Sequence, residues 1–171
     1  MEITKEKFTT LINRNEDRLR HLCRVYTKRR ADEQDLFQEM LIEAWKSLPS
    51  FEGTANVDTW LYRLAVNTAI SYIRKKETRR NYHEAYREDQ KSGAPDIRRS
   101  HNGTENEQLA ELYKAIGSLN ASEKAIITMY LEDFSYAEIS YVVDITENYV
   151  GVKLNRIKKK LAKKVTTNGS E

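Results

Sequence analysis

From Asn148 to Val165 the chain carries seven Lys or Arg residues (Lys153, Arg156, Lys158, Lys159, Lys160, Lys163, Lys164) and no Asp or Glu, whereas Leu109 to Glu147 carries two basic and seven acidic residues. A cationic segment on an otherwise acidic body attracts phosphates locally and keeps the remaining surface from competing for them. A second segment interleaves Phe51, Trp60, Tyr62 and Tyr72 with Arg63, Asn67, Arg74, Lys75 and Lys76. Aromatic faces that stack bases beside a basic track are how single-stranded nucleic acid is held. Trp60 and Tyr72 also suit an apolar core stripe, so for them both readings stand. A third segment, Asp32 to Trp45, exposes Glu33, Gln34, Asp35, Gln38, Glu39 and Glu43, which suits either solvent or a basic partner. His21, His83 and His101 are scattered, and no Cys/His spacing predicts a metal ion or cofactor. No constellation of catalytic side chains is present, which predicts a binding protein that is not an enzyme.

The elements that must position these residues are helices. Ser135 followed by Glu138 is a capping box that starts a helix at Tyr136. Ala137, Ile139, Val142 and Val143 suit a short helix pressed against a partner. Asp144 then occupies the turn, where a residue tolerant of the left-handed conformation is needed. Thr146 is a good N-cap for the next helix, whose Val150, Leu154, Ile157 and Leu161 recur at helical spacing as a buried stripe. Asn148, Tyr149, Val152, Lys153 and Arg156 are left pointing outward. The pattern is a helix-turn-helix with a basic second helix, the arrangement that enters a major groove.

Six Gly and two Pro in 171 residues argue for long helices throughout. Lys5 to Thr27 is amphipathic, with Phe8, Leu11, Ile12, Leu19, Leu22 and Cys23 near one face. Asp32 is the expected cap of the next helix, carrying Leu36, Phe37, Met40, Leu41, Ala44 and Trp45, which Pro49 stops after Leu48. A loop, Ser50 to Asn56, leads to a helix expected from Asp58 to about Lys76. Glu77 to Asn106 holds few aliphatic residues and several breakers, and reads as an extended or disordered linker. Helical periodicity resumes with Leu109, Leu112, Tyr113, Ile116 and Leu119. Ser122 is the expected cap of a further helix whose Ile126, Ile127, Tyr130 and Leu131 form a floor for the helix-turn-helix. The expectation is an all-α protein of two small helical domains: an N-terminal helical core domain (1–76) and a C-terminal helix-turn-helix domain (107–171), joined by a flexible linker (77–106).

The net charge of +3 confines any DNA-binding surface to a patch. Cys23 is the single cysteine; it reads as a small core residue and permits no internal disulfide, in keeping with a reducing cytoplasm. No apolar run reaches membrane-spanning length, and the first residues lack a signal-peptide core, so a soluble intracellular protein with no membrane insertion is expected.

Asp32-Glu33-Gln34-Asp35-Leu36-Phe37-Gln38-Glu39, then Trp45, then Phe51-Glu52-Gly53 and Thr59-Trp60-Leu61-Tyr62-Arg63-Leu64-Ala65-Val66-Asn67-Thr68-Ala69, resembles the N-terminal core domain of bacterial RNA polymerase sigma factors of the extracytoplasmic function (ECF) group. Leu119 to Leu161 resembles their C-terminal promoter-binding domain. The resemblance implies a cytoplasmic initiation factor that directs core RNA polymerase to promoters and aids melting, with double-stranded and melted promoter DNA as ligands. It implies that Asp35, Gln38, Glu39 and Glu43 face the coiled coil of the largest-subunit clamp. The loop from Phe51 through Asn56 to Val57 corresponds to the one that captures a base flipped from the non-template strand of the −10 element. Asn67 lies where the family reads a neighbouring base, and Arg74, Lys75 and Lys76 would hold adjacent phosphates, with Arg63 a further candidate for contact with the −10 strand. Asn148, Tyr149, Val152, Lys153 and Arg156 face the −35 element, and Lys158 and Lys159 its phosphates. An anti-sigma factor is a further partner the family admits.

This chain departs from the family in carrying Gly151 where Lys or Arg is common and Asp144 where Gly is common. Gly151 removes a contact from the second helix and weakens local helicity by up to about 1 kcal/mol relative to Ala. The competing reading is a helix-turn-helix transcriptional regulator whose N-terminal helices dimerise or sense a ligand.

Overall fold

The structure, a computed structural model, describes residues 5–86 and 107–168, and no strand forms among them. The elements are α1 (Lys5–Tyr26), α2 (Arg30–Ser47), α3 (Val57–Tyr86), α4 (Glu107–Gly117), α5 (Ala121–Leu131), α6 (Tyr136–Val143) and α7 (Glu147–Asn168).

Helices α1 to α3 close around Leu19, Leu22, Cys23, Leu36, Met40, Leu61, Ala65 and Ala69, all buried. Ala65 and Ala69 put no bulk on the inner face of α3, so the other two helices can approach it. The start of α3 is pinned to α1 by Asp58, whose Oδ1 accepts from Arg14 Nε at 2.7 Å and from the buried Asn15 Nδ2 at 2.6 Å. Pro49 lies in a single 3₁₀ turn, Leu48–Ser50, that ends α2. In the loop that follows, Gly53 has φ +74°, and open space surrounds it. The backbone angle, and not crowding, makes glycine the suitable residue there.

Several expected boundaries are corrected. Helix α2 begins at Arg30 after Arg29, which gives no side-chain cap, so Asp32 is not a cap. It lies in the first turn, where a carboxylate opposes the positive helix end, and pairs with Lys76. Helix α5 is capped by Asn120 and not by Ser122: Asn120 Oδ1 accepts from Glu123 N at 2.9 Å, and the Glu123 carboxylate reaches back to Asn120 N. Helix α3 runs to Tyr86 instead of ending near Lys76, so the first part of the expected linker is helical. Its residues Arg74 to Tyr82 are exposed. Lys, Arg and Glu are good helix formers, so the missing aliphatic residues signalled loss of burial and not loss of helix. The rest of the expected linker, 87–106, lies outside the described residues. Trp45 and Leu131, expected in the core, are 49% and 54% exposed. Trp45 meets Phe8 edge-on at 5.0 Å.

The helix-turn-helix has the expected chemistry. Ser135 and Glu138 form a reciprocal capping box. Asp144 ends α6 at φ 56°, ψ 51°, in the left-handed region. Thr146 Oγ1 accepts from Tyr149 N at 3.3 Å, and Val150, Leu154, Ile157 and Leu161 are buried against α4 to α6.

The two helical units are packed on one another. Phe134, in the turn before α6, stacks on Tyr62 of α3 at 4.8 Å and lies under the Arg18 guanidinium at 4.9 Å. Glu132 accepts from His21 Nδ1 at 2.7 Å and pairs with Arg18. Tyr26 donates its hydroxyl to the Ala121 carbonyl, and Thr59 donates to Glu138 Oε1 at 2.9 Å.

Candidate nucleic-acid interface

The outer surface of α7 is set by its buried stripe. With Val150, Leu154 and Ile157 turned inward, Asn148, Tyr149, Val152, Arg156 and Lys159 are exposed on the opposite side. Two exposed apolar side chains stand among them, Tyr149 at 41% and Val152 at 44%. Hydrophobic residues among cations suit thymine methyls and base edges better than they suit water. Lys153 Nζ lies 5.5 Å from the centre of the Tyr149 ring, which holds the cation beside this surface. Lys158 leans back instead: its Nζ donates to Tyr130 Oη at 3.0 Å and sits 4.1 Å over that ring. Lys160 pairs with Glu123 and Lys164 with Ser118. Part of the basic charge therefore closes the domain and is not presented outward.

Glu123 shows what this arrangement does to a carboxylate. Burial alone raises its pKa, but the Lys160 ammonium and the Asn120 amide outweigh that and hold it below the ordinary carboxylate range. Glu138 behaves likewise: burial works against its charge, and the Ser135 amide and hydroxyl, with the Thr59 hydroxyl, more than offset it.

Gly151 is not on the outermost line of α7. A Cβ placed there would meet Tyr136 Cε2 at 3.5 Å, an ordinary contact, so the ring of Tyr136 occupies the flank that a side chain at 151 would otherwise cover.

On the other unit, α3 gathers the aromatic and cationic residues by helical spacing. Trp60, Arg63, Asn67, Ser71 and Lys75 share one face and line a groove of about 600 Å³ between α2, α3 and α6. Phe51 packs on Trp60 at 5.1 Å and fixes the loop to this face. Asn67 and Arg74 are exposed. Asn56 has a structural occupation: its Oδ1 accepts from Asp58 N at 2.9 Å and secures the start of α3. Lys75 pairs with Glu39 at 3.3 Å, and Lys76 with Asp32. Tyr72 lies against the same carboxylates, and burial together with Asp32, Asp35 and Glu39 pushes its hydroxyl up to about 12.

The acidic surface of α2 is partly engaged in these pairs. Glu39 meets Lys75 and Glu43 meets Lys46 at 3.0 Å, whereas Asp35 and Gln38 are exposed. Ile42, 52% exposed, and Trp45 are apolar residues of the same helix that the charge pattern alone did not single out. The aromatic Tyr141 was missed as well; it faces the α3 groove from α6, and its position one residue before Val142 gave no signal of a partner in another domain. Among the described residues no cluster of His, Cys, Asp and Glu could hold a metal ion, and no helix is long and apolar enough to cross a membrane.

A capped helix-turn-helix whose second helix carries exposed cations defines a DNA-binding protein. The sigma-70 region 2 family model matches residues 11–79, and the sigma-70 region 4 family model matches residues 109–161. The ECF RNA polymerase sigma-E factor of Haemophilus influenzae is 30% identical over 168 residues, covering 94% of this chain and 88% of the relative. Its counterpart in Escherichia coli K12 is 29% identical over 94% of this chain and 87% of that protein. The fold is shared with the sigma factor RpoE of Bartonella quintana, solved with the anti-sigma factor NepR, at a TM-score of 0.69 and 21% identity over 95% of this chain and 96% of that one. It is also shared with CnrH, solved with the cytosolic domain of CnrY, at a TM-score of 0.68 and 18% identity over 98% and 92% of the two chains.

The chain belongs to the ECF group of sigma-70 family RNA polymerase sigma factors. It acts in promoter-specific transcription initiation, with core RNA polymerase and promoter DNA as its partners. The match of both sigma regions, in order, replaces the competing reading in which the N-terminal helices dimerise or sense a ligand.

Proposed function

We infer that the two surfaces divide promoter recognition between them, within a non-catalytic factor that works in the bacterial cytoplasm. Asn148, Tyr149, Val152, Lys153 and Arg156 read the −35 duplex in the major groove, with Lys159 on phosphate and Lys158 joining only if it leaves Tyr130. Phe51 and the loop to Asn56 receive an unstacked base of the −10 non-template strand, and Arg63, Asn67, Arg74, Lys75 and Lys76 hold its neighbours. The observation that carries this reading is the alignment of Trp60, Arg63 and Asn67 along one groove, with Phe51 packed at its end. Extruding a base costs a few kcal/mol, and stacking on an aromatic returns about 1–3 kcal/mol, so binding can drive strand opening without ATP.

Asp35, Gln38, Glu39 and Glu43 form the contact for the clamp coiled coil of the polymerase largest subunit, with the exposed Ile42 and Trp45 beside them adding apolar area. The functional units are taken as 1–76 and 107–171, the first continuing along α3 to Tyr86. An anti-sigma factor is a natural antagonist, since the two structural neighbours RpoE and CnrH were each solved with another protein bound, NepR as an anti-sigma factor in the first case.

The test is Asn67→Ala in reconstituted holoenzyme. Association with core polymerase should be unchanged while permanganate reactivity of the melted region falls. Loss of core binding with melting intact would remove Asn67 from the strand-reading role.

A further inference from the structure

We propose that Lys124 is an acyl-acceptor site for acyl phosphates, the mixed anhydrides of a carboxylic acid and phosphoric acid, with Lys28 holding the phosphate end of the reagent.

Lys46, Lys75, Lys76 and Lys160 each meet a carboxylate, and Lys158 and Lys164 each donate to a hydroxyl. Lys124, in the first turn of α5, is half-buried without such a partner among the described residues. What its ammonium meets is the ring of Tyr26, 5.6 Å from its centre. Tyr26 supplies no counter-charge: burial pushes its phenol well above the ordinary tyrosine value, and the hydroxyl donates to the Ala121 carbonyl. The carboxylate next in sequence, Glu123, is engaged by the Asn120 amide and by Lys160. The first turn is also the positive end of the helix dipole, which disfavours an ammonium.

A second cation completes the cluster. Lys28, in the turn between α1 and α2, faces Lys124 closely enough to oppose its charge. Burial first, and the Lys28 charge second, hold Lys124 below the ordinary lysine value, with Glu77 of α3 acting the other way. A lysine that is desolvated and set beside another cation presents a free amine as a nucleophile. The same pair sets the class of reagent. Lys28 is exposed and makes no ion pair among the described residues, so it can hold a phosphate while the Lys124 amine meets the acyl carbon bonded to it.

In the step, the Lys124 ammonium first gives one proton to water. Its nitrogen lone pair then attacks the carbonyl carbon; a C–N bond forms, and the C–O bond to the phosphate breaks. Phosphate leaves with that electron pair, a second nitrogen proton passes to solvent, and nothing is oxidised or reduced. The product amide is neutral, so the modification removes one of two like charges that face each other between the α1–α2 turn and α5.

The full-length protein is treated with acetyl phosphate, or with acetic anhydride as a neutral acyl donor, and acetylation of each lysine is followed by peptide mass spectrometry. The references are Lys153, which also lies on an aromatic ring, and the exposed Lys159. Lys124 should react faster than either in the folded chain and lose that lead in denaturant. Lys28→Gln, a change at an exposed position, should slow acetylation of Lys124 by acetyl phosphate about two- to fivefold, the size of one exposed charge interaction, and slow the anhydride less. The proposal is overturned if Lys124 has no lead over Lys153 and Lys159, if the lead persists in the unfolded chain, or if Lys28→Gln slows acetyl phosphate no more than anhydride.

Discussion

Arg156 and Lys153, both proposed to face the −35 duplex, sit in different surroundings. Arg156 is exposed, whereas Lys153 is half-buried beside Tyr149. Arg156→Ala should weaken binding to a −35 duplex by roughly 1 to 3 kcal/mol if its fork reaches a base edge. A gel-shift titration against a scrambled duplex checks this, since an equal loss on both would mark a phosphate contact. Gly151 makes the opposite case. A methyl group there meets Tyr136 at ordinary van der Waals distance, so nothing in the packing demands glycine. Gly151→Ala should therefore stabilise the protein by up to about 1 kcal/mol, seen as a higher denaturant midpoint with unchanged slope.

Helix α6 depends on its cap more than its length would suggest, because eight residues are too few to be stable alone. Ser135→Ala should cost about 1 kcal/mol in chemical denaturation. The cap also carries a pH dependence. The Glu138 carboxyl is held below its ordinary value of 4.5, so its contribution is complete above that value and disappears as pH falls through the lowered one. Glu138→Gln, which can still accept from the Ser135 amide, should flatten that part of the acid-unfolding profile. A profile identical to the parent would show that Glu138 is as solvated in the folded chain as in the unfolded one. Capping boxes are local in sequence, which is why Ser135 and Glu138 were legible there. The Asn120 cap was not, because Ser122 offered an equally plausible hydroxyl two residues away and only the backbone path selects between them.

Across the protein as a unit, charge is used twice. Lys158, Lys160 and Lys164 are committed to Tyr130, Glu123 and Ser118; of the other four cations, Lys153, Arg156 and Lys159 lie with the outward face of the first half of α7, and Lys163 lies a turn beyond them. The logarithm of duplex affinity should therefore fall with the logarithm of salt concentration at a slope near about −3, and not the about −6 that all seven cations would give. Binding isotherms at several salt concentrations measure it directly. The same economy holds on the other unit, where Lys75 and Lys76 are paired with Glu39 and Asp32. Those pairs tie α3 to α2, so a partner that engaged Glu39 or Asp32 would compete with Lys75 or Lys76 for the carboxylate.

The amino-acid order was sufficient for the helix-turn-helix, its capping box, the left-handed Asp144, the buried stripe of α7 and the placement of Cys23 in the core. Each depends on residues within a few positions of one another, where spacing and backbone preference act directly. It was also sufficient for the family, because the motifs of both regions are long. The end of α3 was misplaced because exposure and helicity separate once a helix leaves the core. What only the tertiary structure decided is the packing of α6 on α3: Tyr141 on Arg63, Phe134 on Tyr62, Glu132 between Arg18 and His21. Those partners lie far apart along the chain, and no periodicity records which of many exposed aromatics and charges will meet when two helical units close.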